Sequence, residues 1–367
     1  MSYIKPILMI RLIDNWIDCE IINLKYIQIV SLEKGQVTFP TILKTNLYRS
    51  YSQILKELNK KEPDVSKFIT ELRSIGKQLR SKLDYVFRIF DLKLTEIDGL
   101  VLALDDNSVK IPWELALISE RPIKHLCETK VGRMRVVRSD KGWDDIKSRS
   151  KKPKALVVGI NYEDCRKDLD TLEYPEEEAS KISSVLEGHD VSVELLLGKK
   201  ATKTRIIKNL KKGVDIFHFT GHGSMKKEIS SLQACDEDLV AKNFGGYLEN
   251  AVAPYLTFVN ACETAVERST VTDTEWESHT WAYALANEGG RAFIGTLWPV
   301  WDEDSTIFSE CFYRELFSFR KRTLGESVKL AREDVAKKGG KEAILTWPAY
   351  VLYGPPWLLK EDLLTGV

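Results

Sequence analysis

Two short motifs place a histidine and a cysteine where they could act together in covalent catalysis. Residues 214–223 form an apolar run that ends in Thr-Gly-His-Gly, so that His222 is flanked by two glycines. Residues 256–264 form a second apolar run that ends in Asn-Ala-Cys-Glu-Thr and carries Cys262. Because the thiolate is the reactive form of cysteine and a nearby imidazole favours it, the pair suits a nucleophile and its base.

Each motif also has a structural interpretation. A histidine at a strand end is commonly a satisfied polar residue, and a cysteine after an apolar strand commonly fills the core. The two motifs end consecutive predicted parallel strands, whose carboxyl ends meet at one edge of a sheet, and this placement favours catalysis by His222 and Cys262. Cys311 lies between Phe308 and Phe312 on a predicted helix and is expected to be packing.

The elements that must position these motifs alternate between strand and helix after residue 150. The predicted strands span 155–160, 191–197, 214–219, 256–261 and 291–297, and the predicted helices span 176–187, 202–212, 275–287, 305–319 and 323–338. The last helix opens with a capping-box pattern at Thr323 and Glu326. Such alternation is typical of an α/β fold, with a mostly parallel sheet flanked by helices on both faces.

The first 150 residues have a different pattern. Residues 139–154 are charged and closed by Pro153, which predicts a linker or an exposed loop. Before them the pattern predicts strands over 4–13 and 19–31, Gly35 in the following turn, and helices over 46–59 and from an Asp64 cap to Val86. We therefore predict an amino-terminal α+β half, residues 1–150, packed against a catalytic half, residues 151–367.

The composition of the chain argues against several classes of function. Lys and Arg total 54, as do Asp and Glu, and this zero net charge argues against direct nucleic-acid binding through a general basic surface. The six cysteines are too widely spaced for a zinc motif, and no apolar run reaches 18 residues. We expect a cytoplasmic protein with reduced thiols, without a metal, a cofactor or membrane contact.

The order of the motifs resembles the CHAT domain, a branch of the caspase-like cysteine peptidases related to separase and the caspases. The segments that carry the resemblance are 111–115, 217–223, 260–264, 289–302, 323–332 and 347–354. Residues 154–162 also resemble the first strand of metacaspases, whereas residues 1–95 carry no recognised motif. The resemblance implies a caspase-like sheet in the catalytic half.

The resemblance implies a role for individual residues. His222 would act as general base and later protonate the leaving amine, and Cys262 would attack the scissile carbonyl. The backbone N–H groups of Gly223 and Cys262 would hold the developing oxyanion. The family needs neither a third catalytic residue nor a metal.

Clan relatives select the residue before the scissile bond with charges that line the pocket beside the cysteine. Near the expected pocket this chain supplies carboxylates more readily than arginines, namely Asp302, Glu303, Asp304, Asp164 and Asp168. For any one of them the alternative is a solvated loop carboxylate, and Asn260 stands where metacaspase-like relatives often carry an aspartate. We predict cleavage after a basic residue, with Asp302 as the main selector.

As a whole, the resemblance implies an endopeptidase for a specific protein substrate, acting in prokaryotic defence, such as antiviral defence, or in programmed death. Control by a regulatory protein partner or ligand is expected, with residues 1–150 or the long loops 224–254 and 264–276 as responsive elements. One alternative is a catalytically silent CHAT module that serves as a signalling or binding scaffold. Another, a nucleotide-binding or hydrolase domain, lacks its GxGxxG, GxxxxGK[ST] and GxSxG motifs.

Overall fold

The computed structural model describes most of the chain from residue 152 onward and separate stretches before it. The described ranges are 5–13, 16–25, 28–38, 64–89, 99–104, 108–109, 111–117, 130–135, 152–226, 229–249, 251–262, 280–318 and 320–364. Within these ranges, no helix combines the length and the apolar character needed to cross a membrane.

The described strands form two sheets. In chain order they are β1 (Lys5–Ile13), β2 (Trp16–Lys25), β3 (Gln28–Thr38), β4 (Leu100–Leu104), β5 (Val131–Arg135), β6 (Lys154–Gly159), β7 (Ser192–Leu197), β8 (Ile216–Thr220), β9 (Gly223–Lys226), β10 (Ile229–Gln233), β11 (Asp238–Val240), β12 (Leu256–Asn260), β13 (Ala292–Thr296) and β14 (Tyr350–Tyr353). In the described part of the chain, β9, β10 and β11 make a small sheet, and the other eleven strands make a large one.

Helices cover the large sheet. They are α1 (Val65–Ile89), α2 (Pro175–Glu187), α3 (Lys203–Leu210), α4 (Phe244–Leu248), α5 (Trp281–Asn287), α6 (Asp302–Leu316), α7 (Leu324–Lys338), α8 (Gly340–Thr346) and α9 (Lys360–Leu364). The predicted capping box at Thr323 and Glu326 starts α7. The predicted cap of α1 is also present, because the Asp64 carboxylate accepts a hydrogen bond from the Lys67 N–H at 3.1 Å.

The large sheet runs in the order β3-β2-β1-β4-β5-β14-β13-β12-β8-β6-β7. Neighbouring strands from β13 to β7 are parallel, as are those from β1 to β14, while β13 and β14 pair antiparallel. Alternate residues of β6 enter two different cores, since Leu156 and Val158 join one and Ala155 and Val157 join the other. The prediction of a mostly parallel sheet with helices on both faces is therefore confirmed.

The two halves of the chain meet within this sheet. Strand β5 pairs with β14 in parallel, with Arg133 opposite Tyr353, so the sheet passes from one half to the other without interruption. The division at residue 150 stays a prediction. Most of the predicted linker and the predicted helix over 46–59 lie outside the described residues.

Two local predictions before residue 150 are wrong. The strand predicted over 19–31 is divided, because β2 ends at Lys25 and β3 begins at Gln28 and pairs antiparallel with it. Gly35 lies inside β3, opposite Cys19, rather than in a turn. Both strands of this hairpin have similar apolar patterns, so periodicity does not mark the reversal, and a strand interior tolerates a glycine at some cost.

The segment 224–254 is also not the long loop predicted from the sequence. It contains α4 and most of the small sheet. The strands of this sheet have three to five residues, which is too short to show a clear alternation of apolar and polar residues. Strand β9 starts at Gly223, directly after His222, so the small sheet continues the histidine motif. Residues 264–276, the second predicted loop, lie outside the described part of the chain.

Candidate active site

The two motifs end parallel strands, as predicted from the sequence, and these strands are neighbours in the sheet. Strands β8 and β12 pair in register, with their last residues, Thr220 and Asn260, opposite each other. His222 and Cys262 each follow two residues later, so both lie beyond the same edge of the sheet. They line one cavity of about 120 Å³.

The lining of this cavity is acidic. Besides His222 and Cys262, it includes the carboxylates of Glu178, on α2, and Asp302, the first residue of α6. Neither Lys nor Arg occurs among the described residues that line it. A positively charged side chain would therefore be favoured in this cavity over a negatively charged one.

The tautomer of His222 follows from a backbone contact. Its Nε2 atom lies 2.8 Å from the carbonyl oxygen of Asp170, and a carbonyl oxygen can only accept a hydrogen bond. In the neutral imidazole, Nε2 therefore carries the proton and Nδ1 is the acceptor. An imidazole held in this way can take a proton from a thiol through Nδ1.

Tyr162 fixes the backbone beside this imidazole. Its hydroxyl accepts a hydrogen bond from the His222 N–H at 2.8 Å and donates one to the Gln233 carbonyl at 2.6 Å. Gly221 has φ +156°, and a Cβ there would lie 2.6 Å from the Tyr162 hydroxyl, so the first glycine of the motif permits this approach. Burial raises the pKa of Tyr162 well above its ordinary value, which keeps the hydroxyl protonated.

Contacts with three other strands help to hold the strand end that carries Cys262. The Gly221 N–H donates to the Asn260 carbonyl at 3.2 Å, and the Thr296 hydroxyl donates to the Ala261 carbonyl at 3.0 Å. The Tyr350 hydroxyl donates to the side-chain Oδ1 of Asn260 at 2.7 Å. These contacts join β12 to β8, β13 and β14.

The structure also shows where two other residues discussed from the sequence lie, Gly223 and Cys311. Gly223, a predicted oxyanion donor, is the first residue of β9 and lies opposite Leu232. Cys311 is buried on α6, and burial raises its pKa to about 12, which suppresses its thiolate. The expected packing role of Cys311 agrees with this environment. No cluster of His, Cys, Asp and Glu suited to a metal ion occurs among the residues described.

Of the five predicted pocket carboxylates, Asp302 is the one that lines the cavity with the two motif residues. Burial raises the pKa of Asp302 above its ordinary value, and the nearby Glu178 charge adds to this effect. The backbone N–H of Glu173 and the neighbouring His222 act in the opposite direction. The net effect is a carboxyl group that is harder to ionise than an exposed aspartate.

The other four carboxylates have different partners. Asp304 is buried, and both it and Glu303 bond to Lys338 Nζ at 2.6 Å. Asp164 pairs with Lys199 at 3.3 Å, and Asp168 with Arg166 at 2.9 Å; these two aspartates are exposed. None of the four lines the cavity that holds His222 and Cys262. This geometry fits the alternative of structural or solvated carboxylates.

Sequence reasoning missed Glu178, a carboxylate of the cavity that is only 1 % exposed. Glu178 is the last residue of the acidic run Glu176–Glu178, and such a run is typical of the first turn of a helix. A signal was nevertheless available, because Glu178, Ile182 and Leu186 recur every four residues and all three are buried. Glu178 thus occupies a position on the apolar stripe of α2.

Comparison with known proteins shows the family to which the chain belongs. The family model described as CHAT domain matches residues 74–355. No curated protein is similar enough in sequence to count as a match. Family membership therefore depends on this family model, which covers more than half of the chain.

Solved structures of peptidases share the fold. Gingipain R, described as an Arg-specific cysteine proteinase, is 14 % identical with a TM-score of 0.54, over 78 % of this chain and 67 % of its own. The pro- and mature-domain complex of this enzyme from Porphyromonas gingivalis gives 12 % identity and a TM-score of 0.53, over 89 % and 78 %.

Separase from Saccharomyces cerevisiae, in complex with securin, is 11 % identical with a TM-score of 0.56, over 95 % of this chain but 30 % of separase. At such identities the likeness shows the fold alone, the caspase-like α/β fold.

Proposed function

Because this chain belongs to the CHAT-domain family, we propose that it is a cysteine endopeptidase whose catalytic dyad is His222 and Cys262. The observation that carries the proposal is their common position, since both line one cavity beyond the ends of paired parallel strands. The contact between His222 Nε2 and the Asp170 carbonyl adds support, because it leaves Nδ1 as the acceptor.

In the proposed reaction, His222 Nδ1 takes the proton of the Cys262 thiol, and the sulfur attacks the carbonyl carbon of the scissile peptide. The oxyanion that forms accepts hydrogen bonds from the backbone N–H groups of Gly223 and Cys262. His222 then gives its proton to the leaving amine, and a thioester remains on Cys262. A water molecule, deprotonated by His222, hydrolyses the thioester and restores the thiol.

We propose that the residue before the scissile bond is basic, and that Asp302 is its main selector. Support comes from the two carboxylates of the cavity and from the lack of Lys and Arg among its described lining residues. Gingipain R, one of the structural neighbours, is itself described as Arg-specific. A guanidinium next to Asp302 would return the pKa of this carboxyl towards its ordinary value, so substrate binding and ionisation of Asp302 favour each other.

We further propose a cytoplasmic protein that cleaves a specific protein substrate in prokaryotic defence, such as antiviral defence, or programmed death. A regulatory partner or ligand would control it. Two structural neighbours were solved as complexes, separase with securin and gingipain R with its pro-domain. An endopeptidase in a cell needs such restraint, and the segment after His222 is a candidate element because it enters the small sheet directly.

A covalent probe and a peptide library test the proposal. A peptidyl acyloxymethylketone with arginine next to the reactive group should label the purified chain at Cys262, as located by mass spectrometry of its tryptic peptides. The library should be cut mainly after Arg or Lys. Labelling elsewhere with no cleavage would favour the silent scaffold. Cleavage mainly after Asp or large apolar residues would remove the acidic-pocket proposal and leave the dyad.

A further inference from the structure

Glu178 touches both strand ends that carry the dyad. Its Oε2 accepts hydrogen bonds from the Thr220 hydroxyl at 3.1 Å and from Asn260 Nδ2 at 2.9 Å, and its Oε1 lies 3.1 Å from the same Nδ2. Thr220 stands two residues before His222, and Asn260 stands two residues before Cys262. One carboxylate thus bridges equivalent positions on β8 and β12.

The same carboxylate reaches the third wall of the cavity. The Thr306 hydroxyl, on α6, lies 3.4 Å from Glu178 Oε2 and also donates to the Asp302 carbonyl at 3.0 Å. Glu178 therefore contacts β8, β12 and α6, the three elements that present His222, Cys262 and Asp302. Its position on a packed helix makes it a rigid support.

The hydroxyl and amide groups that bond to Glu178 are uncharged donors. The ring of the buried His218 is also close, with Nε2 3.2 Å from Oε1 and no hydrogen bond between them. No Lys or Arg is within ion-pair distance of Glu178 among the residues that the structure describes. A buried carboxylate with neither Lys nor Arg beside it depends on such hydrogen bonds to offset its desolvation.

Both oxygens of Glu178 face the Asn260 amide, since its Nδ2 lies 2.9 Å from Oε2 and 3.1 Å from Oε1. A carboxylate accepts at both oxygens, whereas a glutamine offers one acceptor and turns an NH₂ group towards its neighbours. The contact atom of Asn260 is itself an NH₂ group, and its amide orientation is fixed because Oδ1 accepts from the Tyr350 hydroxyl. An amide at position 178 would therefore set an NH₂ group against that of Asn260 in either orientation and weaken the contact with the cysteine strand.

We propose that Glu178 is the positioning residue of the dyad: through Thr220 and Asn260 it sets the strand ends from which His222 and Cys262 project. The inference rests on the dyad proposed above. It assigns Glu178 no contact with the scissile bond. A change at Glu178 should act on the turnover of every peptide, whatever residue precedes the scissile bond.

The Glu178→Gln variant tests the positioning role. It should lower kcat for an arginyl and for a neutral peptide alike by about 100-fold, the usual cost of misplacing a reacting group by about 1 Å, with little change in KM. The kcat values are taken well below the thermal midpoint of each variant. A rise in KM confined to the arginyl peptide, with kcat unchanged, would show that Glu178 acts on the substrate side chain and would overturn the proposal.

A second substitution should restore the bridge. Combining Glu178→Gln with Asn260→Asp exchanges acceptor and donor, because the new amide at position 178 can donate to the new carboxylate at position 260 and still accept from Thr220 Oγ1. We expect kcat to recover at least about 10-fold over Glu178→Gln, since a hydrogen bond to a charged group is regained. A double variant no faster than Glu178→Gln would contradict the role of this contact.

Thr220→Val keeps the question testable if Glu178→Gln does not fold. It removes one hydroxyl while preserving side-chain shape, and we expect a roughly 10-fold loss of kcat because one charge-assisted hydrogen bond is lost. An unchanged kcat in this variant would overturn the bridge to the histidine strand.

Alkylation of Cys262 by iodoacetamide separates this inference from the proposed function. Followed by mass spectrometry without any substrate, the rate should fall about 10-fold in Glu178→Gln, because a displaced imidazole no longer favours the thiolate. If the wild-type chain cleaved no peptide and this difference remained, the peptidase proposal would fail and the positioning role would stand. Equal alkylation rates in both proteins would sink the positioning role.

Discussion

Among the described residues, each half of the chain buries one glutamate, and the two glutamates have different partners. Glu114 in the amino-terminal half is 3 % exposed, and Glu178 in the carboxy-terminal half is 1 % exposed. Glu114 forms a salt bridge with Arg133, whose guanidinium also donates to the Val109 and Ile111 carbonyls at 3.4 and 3.3 Å. Glu178 instead accepts from the uncharged donors of Thr220 and Asn260, with His218 Nε2 3.2 Å from its Oε1.

The difference shows what each residue is suited to do. Burial alone would lower the pKa of Arg133, but the charge of Glu114 and contacts with Tyr353 raise it above its ordinary value. This pair ties the short helical turn Trp113–Leu117 to β5, where the two halves meet at β14. A compensated pair of this kind serves structure, whereas a carboxylate that lines a cavity and accepts hydrogen bonds from two strand ends serves the site.

The largest effect is expected on the carboxy-terminal side of this comparison. Cys262→Ala and His222→Ala should each lower kcat/KM by roughly 10⁴-fold or more, because a nucleophile and its base act as one unit. Their thermal midpoints should stay close to the wild-type value. Cys165→Ser is the matched control and should retain activity. Near-normal proteolysis by Cys262→Ala would remove Cys262 as the nucleophile.

The opposite result is expected for the amino-terminal glutamate. Glu114→Gln leaves the buried Arg133 without its anion and should lower the free energy of unfolding by about 3–5 kcal/mol. Urea unfolding measures this loss, and kcat of the folded chain at low temperature should stay unchanged. If Glu114→Gln lowered kcat as Glu178→Gln does while stability was kept, the two glutamates would not differ in role.

The contrast also shows why the sequence foretold part of the site. His222 and Cys262 follow apolar runs that are buried on both faces of the sheet, so local pattern alone placed β8 and β12 within two residues. The sequence argument took as its condition that the two strands are neighbours, and β8 and β12 do pair directly. Small and turn-forming residues after each run marked the cavity edge.

The contacts of Tyr162 and Glu178 with the two motifs could not be predicted from local sequence patterns. Tyr162 bonds to His222 across 60 positions, and Glu178 bonds to Asn260 across 82. Such contacts depend on how α2 and the segment after β6 pack against the sheet, which no local pattern records. The acidic run after Trp301 was equally ambiguous, since neighbouring residues of one helical turn point in different directions: Asp302 lines the cavity and Asp304 bonds to Lys338.

A smaller effect is expected for the selector carboxylate. Asp302→Asn should lower kcat/KM for an arginyl peptide by about 30-fold, because a desolvated charge pair loses one partner, and should spare a neutral peptide. Asp164→Asn is the matched control, since Asp164 is exposed and pairs with Lys199 outside the cavity. An equal loss of kcat/KM for both peptides would show that Asp302 supports the site, as Glu178 does, and does not contact the substrate side chain.

The smallest effect is a pH dependence of selectivity. Burial and the Glu178 charge raise the pKa of Asp302, so its carboxylate takes up a proton at a higher pH than an exposed aspartate does. The protonated form cannot pair with a cation. The ratio of kcat/KM for arginyl and neutral peptides should therefore fall as the pH is lowered, beginning above the ordinary aspartate pKa of about 3.9. Because both peptides use the same dyad, the ratio cancels the titration of His222 and Cys262.

The Asp302→Asn variant is the control for this pH dependence, and its ratio should be independent of pH. A ratio that still fell as the pH was lowered would assign the titration to another group of the cavity, and Glu178 would be the first to test.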